Sequence, residues 1–439
     1  MVLLLRRALV LTAYVAVAGI GSLTVIPSGV VLHGGRIPSF TVTRLQGAGP
    51  AAAQSPVVRT VQLDLYPSVV LVDAATRRVF VFARTNPYAP HQPEVAALKV
   101  LDAATGALLH TTPLGHNTYF DGAVVDPRGG HVLLVTHTTR RPSGLSDRSD
   151  IRVLDGRTGA VVQVFSTGRA LRAIAIDVVR QQAFLLDAGT LDELGAPTGN
   201  AILRDVDAAT GRVIRLIRLN QLGQNGGALI VDGQTRRVFV AESGGVRVLD
   251  EATGATVSRV PLSSRQTVLG LALDERAGRV VVGVRFDVER MEAVTLLDAG
   301  TGKVVRGAIG AGEALAVDTT DGRIVAAFTL TPSSGGDVGA QVVDIISGRV
   351  VSAPTLATGA SFQVASAVDE PRRRAIVVIA EGTSGPNVAN VLDTYNGRVV
   401  RQLSLGIGAP AVGVDAQTQR AFVANGGDTT VSVLDTTRL

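Results

Sequence analysis

Two patterns of apolar positions alternate along the chain from Val57 to its end. The first reads apolar run, Asp, short polar turn, basic residue, apolar run, as in VVLVDAATRRVFVFA (69–83), ALIVDGQTRRVFVA (228–241) and VGVDAQTQRAFVA (412–424). Its aspartates are Asp73, Asp126, Asp177, Asp232, Asp274, Asp318, Asp369 and Asp415. The second reads apolar run, Asp, two residues, Thr-Gly or a variant of it, apolar run, as in VRVLDEATGATVSRVPL (246–262). Its aspartates are Asp102, Asp155, Asp207, Asp250, Asp298, Asp344, Asp393 and Asp435. The runs are short, rich in Val, Ile and Leu, and bounded by turn residues, so each predicts a β-strand. Their period is 2 rather than 3.6, and no long amphipathic helix is predicted after residue 57. Each full unit therefore supplies four strands, and the first-pattern aspartates recur about every 49 residues, near the spacing of β-propeller blades.

The turn chemistry repeats with the strands. In the second pattern a Gly stands four residues after Asp in all seven complete copies, from Gly106 to Gly397. A tight hairpin with a left-handed residue before the return strand calls for Gly there, and the Asp side chain can bond the turn N–H groups. In the first pattern an Arg stands five residues after Asp in six of eight copies, with His131 and Gln182 in the other two. An Asp–Arg pair bracketing each first turn is the expected use of these arginines. Four residues before each first-pattern Asp stand Val69, Gly122, Ala173, Ala228, Gly270, Ala314, Ala365 and Ala411. Small residues there suit innermost strands that crowd around an axis.

The last unit, ending FVANGGDTTVSVLDTTRL (422–439), has three strands and no fourth. The missing strand is predicted at the other end. VVRTVQL (57–63) aligns with VVRQLSL (399–405), the fourth strand of the preceding unit. Residues 57–65 are expected to complete the C-terminal blade, which closes the ring and hides two edges that would otherwise pair with other chains. The count is then eight four-stranded blades; seven, with one unit extruded, is the alternative.

The N-terminus is a separate object. After Arg6 and Arg7 no charge occurs until Arg36, and the apolar-rich stretch from Ala8 to Leu32 is long enough to span a bilayer as a helix. Basic residues before it place the N-terminus inside. Ala16-Val17-Ala18 also fits a signal-peptidase site. Residues 1–32 thus read as a signal anchor or signal peptide, 33–56 (rich in Gly, Ala, Pro and Ser) as a linker, and 57–439 as the propeller. Either N-terminal reading makes the body extracytoplasmic, membrane-anchored or secreted.

Composition changes the picture in three places. With no cysteine among 439 residues, disulfides, thiolate metal sites, cysteine nucleophiles and c-type haem attachment are excluded. With no tryptophan, the blade and cofactor contacts of quinoprotein alcohol dehydrogenases are absent. The formal net charge of +5 comes from dispersed arginines that recur at one repeat position, so no nucleic-acid partner is predicted.

FVANGGDTTVSVLDTTRL (422–439) and VFVAESGGVRVLDEATGATV (238–257) resemble the repeat of the YVTN family of β-propellers, and the wider framework is similar to the superfamily of quinoprotein amine dehydrogenase heavy chains and bacterial lactonases. The resemblance implies a β-propeller and export; for function it implies a binding or surface protein, with a lactonase-like hydrolase or lyase as the alternative.

A site is expected on the face opposite the Asp turns. There the connections between second and third strands lengthen, at 84–97, 137–150 and 187–201, and insertions collected on one face of a repeat array mark its binding face. Asp121, Arg172 and Glu313 stand at the inner-strand mouth on that face, and His116 and His137 approach it. Asp121 and Arg172 come from adjacent blades and are expected to pair. His116, Asp121 and His137 together are a candidate metal or acid–base cluster. Asp147, Asp150, Asp192 and Glu193 are oxygen donors without a recognised calcium spacing. The expectation is a monomeric scaffold without cofactor, binding a protein or carbohydrate ligand through the loop-rich face.

Overall fold

The structure is a computed structural model that describes residues 55–85, 94–138, 149–167, 171–189, 198–222, 227–262, 266–286, 292–309, 314–329, 337–358, 362–381, 385–408 and 410–439. The expected N-terminal helix, residues 1–32, and most of the linker lie outside the described residues. Among the described residues no helix is long and apolar enough to cross a membrane.

The strands form eight antiparallel sheets, one per repeat unit. Blade 1 runs Tyr66–Asp73, Arg78–Arg84, Val95–Asp102 and Leu108–His116, from the inside outward. Blade 2 runs Thr118–Asp126, His131–Thr138, Ser149–Asp155 and Val161–Ser166. Blade 3 begins with Leu171–Asp177 and Gln182–Asp187. The later blades repeat this order. Each innermost strand touches those of the two neighbouring blades, and the first blade's touches the last blade's, so the ring is closed.

Closure uses the N-terminal strand. Val57–Gln62 pairs antiparallel with Thr430–Asp435 as the outer strand of blade 8, in the register Val61 opposite Val431 and Thr60 opposite Ser432. The strand ends slightly sooner than expected; Leu63 still donates its N–H to the Thr429 carbonyl at 2.7 Å. Eight blades, the last composite, replace the seven-blade alternative. In blade 6 the outer strand is split into Val350–Ser352 and Thr355–Ala357 around Pro354, which has no N–H to give the ladder.

Apolar residues from facing sheets fill the space between blades. Val69, Phe80, Leu98, Phe120 and Leu134 form one such layer between blades 1 and 2. Val61, Leu63, Leu101, Phe422 and Val431 form another across the seam of blades 8 and 1. The small inner-strand residues Gly122, Ala173, Ala228, Gly270, Ala365 and Ala411 are buried as expected.

The turns at the Asp face (the turn face) explain the repeat signature. The seven predicted glycines all have φ between 65° and 73°. A Cβ at Gly159 would sit 2.5 Å from Val100 Cγ2 of the neighbouring blade, so both the dihedral and the close approach require Gly. The second-pattern aspartates cap these turns, with Asp250 Oδ1 accepting from the Thr253 N–H at 2.9 Å and from its hydroxyl at 2.8 Å.

The arginines are used differently from expectation. Arg78 does not bridge to Asp73. It pairs with Asp102 at 3.4 Å, and the same bridge recurs as Arg237–Asp250 at 2.8 Å, Arg279–Asp298 at 3.1 Å and Arg374–Asp393 at 2.9 Å. The cause is register: Arg78 lies opposite Asp102 on the next strand. Asp73 is buried and accepts from the N–H groups of Ala75 and Thr76 of its own turn. The first-pattern aspartates thus form a buried ring, and the second-pattern aspartates hold the arginines.

One position on this face breaks the pattern. The residue after each second-pattern Asp packs toward the first-pattern Asp of the preceding blade, where Thr394 donates to Asp318 and a Cβ on Gly156 would lie 3.4 Å from Asp73. In blade 4 that residue is Glu251, which is buried against Asp177, with Arg180 and Arg236 at 3.4 and 3.7 Å. Burial, reinforced by the Asp177 charge, pushes the Glu251 carboxyl up to about 7.

Candidate functional site

The opposite, loop-rich face is built on departures from the ladder. In blades 1, 2, 3 and 5 the inner strand carries a β-bulge, and the ladder skips Ser68, Asp121, Arg172 and Leu269. Each lies five residues before its buried Asp. A bulge takes one residue out of the regular ladder and re-aims it, here at the loop-rich end of the inner strands. In blade 7 the equivalent Val364 stays in regular register.

Blades 2 and 3 are adjacent, so their bulges set an acid beside a base. Burial pushes the Arg172 guanidinium below the usual arginine range, and the nearby Asp121 charge opposes that shift. Asp121 also receives His137 from the second strand of its own blade. His137 Nδ1 lies 2.7 and 2.8 Å from the two carboxylate oxygens, and the two side chains are only 15% and 11% exposed. Ser149 Oγ donates to Asp121 Oδ2 at 3.3 Å and accepts from the Leu171 N–H at 3.0 Å, which ties the cluster to blade 3. Tyr119, opposite His137 in the sheet, stacks on its imidazole with ring centroids 5.1 Å apart and planes 10° from parallel. The Tyr119 hydroxyl donates to Glu94, and the Arg84 guanidinium lies 5.3 Å from the ring centre.

This arrangement fixes His137 rather than leaving it to rotate. With Nδ1 on the carboxylate, Nε2 is the nitrogen left for a ligand or a proton. The cluster offers a carboxylate, a guanidinium, an imidazole, a hydroxyl and an aromatic face within two blades. That is a set able to hold a polar ligand by several directed bonds.

The expected residues divide accordingly. Asp121, Arg172 and His137 come together. His116 does not: it ends the outer strand of blade 1, its side chain is exposed, and it makes no polar contact with Asp121 or His137. Among the described residues no three His, Asp or Glu side chains are grouped to hold a metal ion, so the His116–Asp121–His137 trio does not form a metal cluster. Glu313 lies outside the described residues, as do Asp147, Asp192 and Glu193. Tyr119, Ser149 and Glu94 were not singled out from sequence. Tyr119 and Ser149 flank Asp121 and His137 in the sheet, and register alone could have found them.

Two other carboxylates on this face are committed to neighbouring arginines. In blade 4 Glu242 is buried and takes Arg247 at 2.8 Å, Arg259 at 3.3 Å and the Asn220 N–H at 2.9 Å. In blade 3 Asp187 takes Arg204 at 2.9 Å and the Gly189 N–H at 2.8 Å. These bracket the strands.

No family model and no curated protein matches the chain. Solved structures do. The chain is similar to the Dos1 propeller (9% identity, 86% of this chain and 95% of that one, TM-score 0.61). It is also similar to Saccharomyces cerevisiae Sqt1 (11% identity, 86% and 97% coverage, TM-score 0.57). A third is Kuenenia stuttgartiensis hydrazine synthase (12% identity, 71% and 94% coverage, TM-score 0.50). At these identities the likeness shows the β-propeller fold alone.

Proposed function

We propose that this protein is an extracytoplasmic, membrane-tethered propeller of YVTN type that holds a protein or carbohydrate ligand on its loop-rich face, with the Asp121–His137–Arg172 cluster as the anchor. One observation carries the reading: the two faces are built to different rules. The turn face repeats the same capped, packed turns, with Glu251 as a departure. The loop-rich face bears the longer connections and, among the described residues, the one place where opposite charges, an imidazole and an aromatic ring converge at the channel mouth. Export and tethering rest on the apolar stretch Ala8–Leu32.

The test is binding of full-length protein, in detergent, to glycan and peptide arrays. Asp121→Asn with Arg172→Gln should lower binding of the hits roughly tenfold or more, the worth of a charged hydrogen bond. Hits retained undiminished by the double variant would refute the anchor. A second reading is favoured by one feature, the Asp-held imidazole with Nε2 available as general base. On it the protein is a lactonase-like hydrolase. Turnover of simple lactones, lost in His137→Gln, would support it; no turnover leaves the binding reading alone.

A further inference from the structure

The turn face has two surface properties that the proposed ligand site does not use. The first is charge. Every blade presents at least one exposed Arg or Lys there, among them Arg77, Arg157, Arg212, Lys303, Arg349 and Arg398. No Asp or Glu of this face is exposed among the described residues; the carboxylates sit behind, buried or half-buried, in turn caps and Arg pairs. Within a Debye length of about 8 to 10 Å, an approaching surface meets the cations first.

The second property is apolar. Each outer strand begins at the turn face with hydrophobic residues that the fold leaves in water. Val58, Val162, Ile214, Val257, Val305 and Val400 occupy the same repeat position and are 41 to 61% exposed. They form a broken rim around the edge of this face. Further along the same strands polar residues such as Thr111, Gln163, Arg218 and Gln402 share the surface with Val164 and Leu216.

The point where the chain enters the propeller bears on what could cover this rim. The closing strand starts at the turn face: the Pro56 carbonyl accepts from the Asp435 N–H at 2.8 Å, and Val58 is itself a rim residue. Residues 1–54 are therefore joined to the propeller at this edge. The apolar stretch Ala8–Leu32 lies beyond a linker of roughly two dozen residues, whose flexible span is about 25 to 30 Å. A bilayer holding that stretch is delivered to the turn face.

We propose that the turn face docks flat on an anionic phospholipid bilayer, with its arginines on the headgroups and the valine rim in the interface, so that the Asp121–His137–Arg172 mouth points away from the membrane. Exposed cations and interfacial aliphatic residues together are what such a surface recognises. The proposal rests on the tethered reading for delivery; the contact residues are its own.

The test uses full-length protein reconstituted into vesicles of phosphatidylcholine alone or with one part in four phosphatidylglycerol. The chain has no cysteine, so Val162→Cys, Val305→Cys and Ser243→Cys each accept a single environment-sensitive fluorophore. Ser243 is an exposed residue of the loop-rich face. The two rim probes should emit blue-shifted light in anionic vesicles and less so in neutral ones, and Ser243 should emit as in water in both. Reversing Arg157→Glu and Arg349→Glu should lower the docked population on the order of tenfold without altering retention in a carbonate-washed pellet. Protein retained in the pellet with all three probes in water overturns the docking and spares the tether. Protein released by carbonate whose rim probes still shift on added anionic vesicles supports the docking and sinks the tether; release with no shift overturns both.

Discussion

The N-terminal strand should be worth several kcal/mol, and removing it isolates that contribution. Truncation after Ala53 leaves the ring whole; truncation after Asp64 removes the strand together with Leu63 and Asp64 at the seam. Val61 and Leu63 are only 4 and 5% exposed. Full burial of such a side chain is worth about 1.5 to 3 kcal/mol, so the pair contributes about 5 kcal/mol. The longer truncation also leaves Val431 and Val433, now at 0 and 1% exposure, facing water along an unpaired edge. The loss of Asp64 takes away the ion-pair partner of Lys99, whose side chain is 2% exposed. A domain stable by roughly 5 to 15 kcal/mol cannot lose that much unnoticed. Thermal melts followed by circular dichroism and light scattering should show the shorter truncation melting like the parent. The longer one should melt roughly 10 °C lower, at about 2 °C per kcal/mol, and aggregate. A synthetic peptide spanning residues 55–65, added in trans, should restore part of the loss by strand addition. If the two truncations melt alike, residues 57–63 do not close the ring and the eight-blade count falls with them.

Three further substitutions test the turn face. Gly159→Ala places a Cβ 2.5 Å from Val100 at a φ of 69° and should cost about 3 kcal/mol by urea denaturation. Gln419→Gly relieves a left-handed residue with φ of 61° that three sibling turns build with Gly130, Gly278 and Gly322, and should stabilise by about 0.5 to 1 kcal/mol. Glu251 keeps its proton in the folded protein up to about pH 7 but loses it near 4.5 when unfolded, so it costs nothing below pH 4.5 and its penalty grows as pH rises toward 7. The penalty is about 3 kcal/mol at most, and Glu251→Gln should flatten the fall in melting temperature between pH 5 and 7.5; an unchanged pH profile would show that the carboxyl is ionised throughout.

The strands, blade count and closure were legible because each half-unit writes its turn chemistry into sequence. Asp caps, and Gly four residues on is forced by a positive φ and a neighbour's side chain. What misled was nearness along the chain. Arg78 stands five residues from Asp73, and a linear reading pairs them, but the sheet sets Arg78 opposite Asp102, and the Asp73 carboxylate is already committed to its own turn. The same limit applies at the mouth. Asp121 and Arg172 could be placed because inner-strand position counts back from a recognisable Asp. His116 could not be rejected, because the count did not reveal that it ends an outer strand. Tyr119 and Ser149 carry no motif of their own; they are found only through register, since both lie opposite His137 on the neighbouring strands.

The bulges support placing the proposed ligand site on the loop-rich face, at blades 2 and 3. A repeat strand can run past this point in regular register, as Phe362–Asp369 does, so the fold does not require the irregularity. Nor does a bulge alone make a site: in blades 1 and 5 it presents Ser68 and Leu269, a neutral hydroxyl and an aliphatic side chain. Among the described residues only the adjacent pair of bulges puts opposite charges side by side, and only there do neighbouring strands add an imidazole locked by the carboxylate, a ring stacked on it and a serine that ties one blade to the next. Holding Asp121 and Arg172 near each other with little solvent costs desolvation that a surface position would avoid. Places where a sequence accepts such a cost against an otherwise consistent repeat are where function is expected. Replacing Asp121, Arg172, His137 and Ser149 together with apolar residues of similar size should therefore leave the propeller as stable or more so while abolishing the proposed recognition, whereas replacing the Asp121–Arg172 pair alone should cost stability because His137 and Ser149 lose their acceptor.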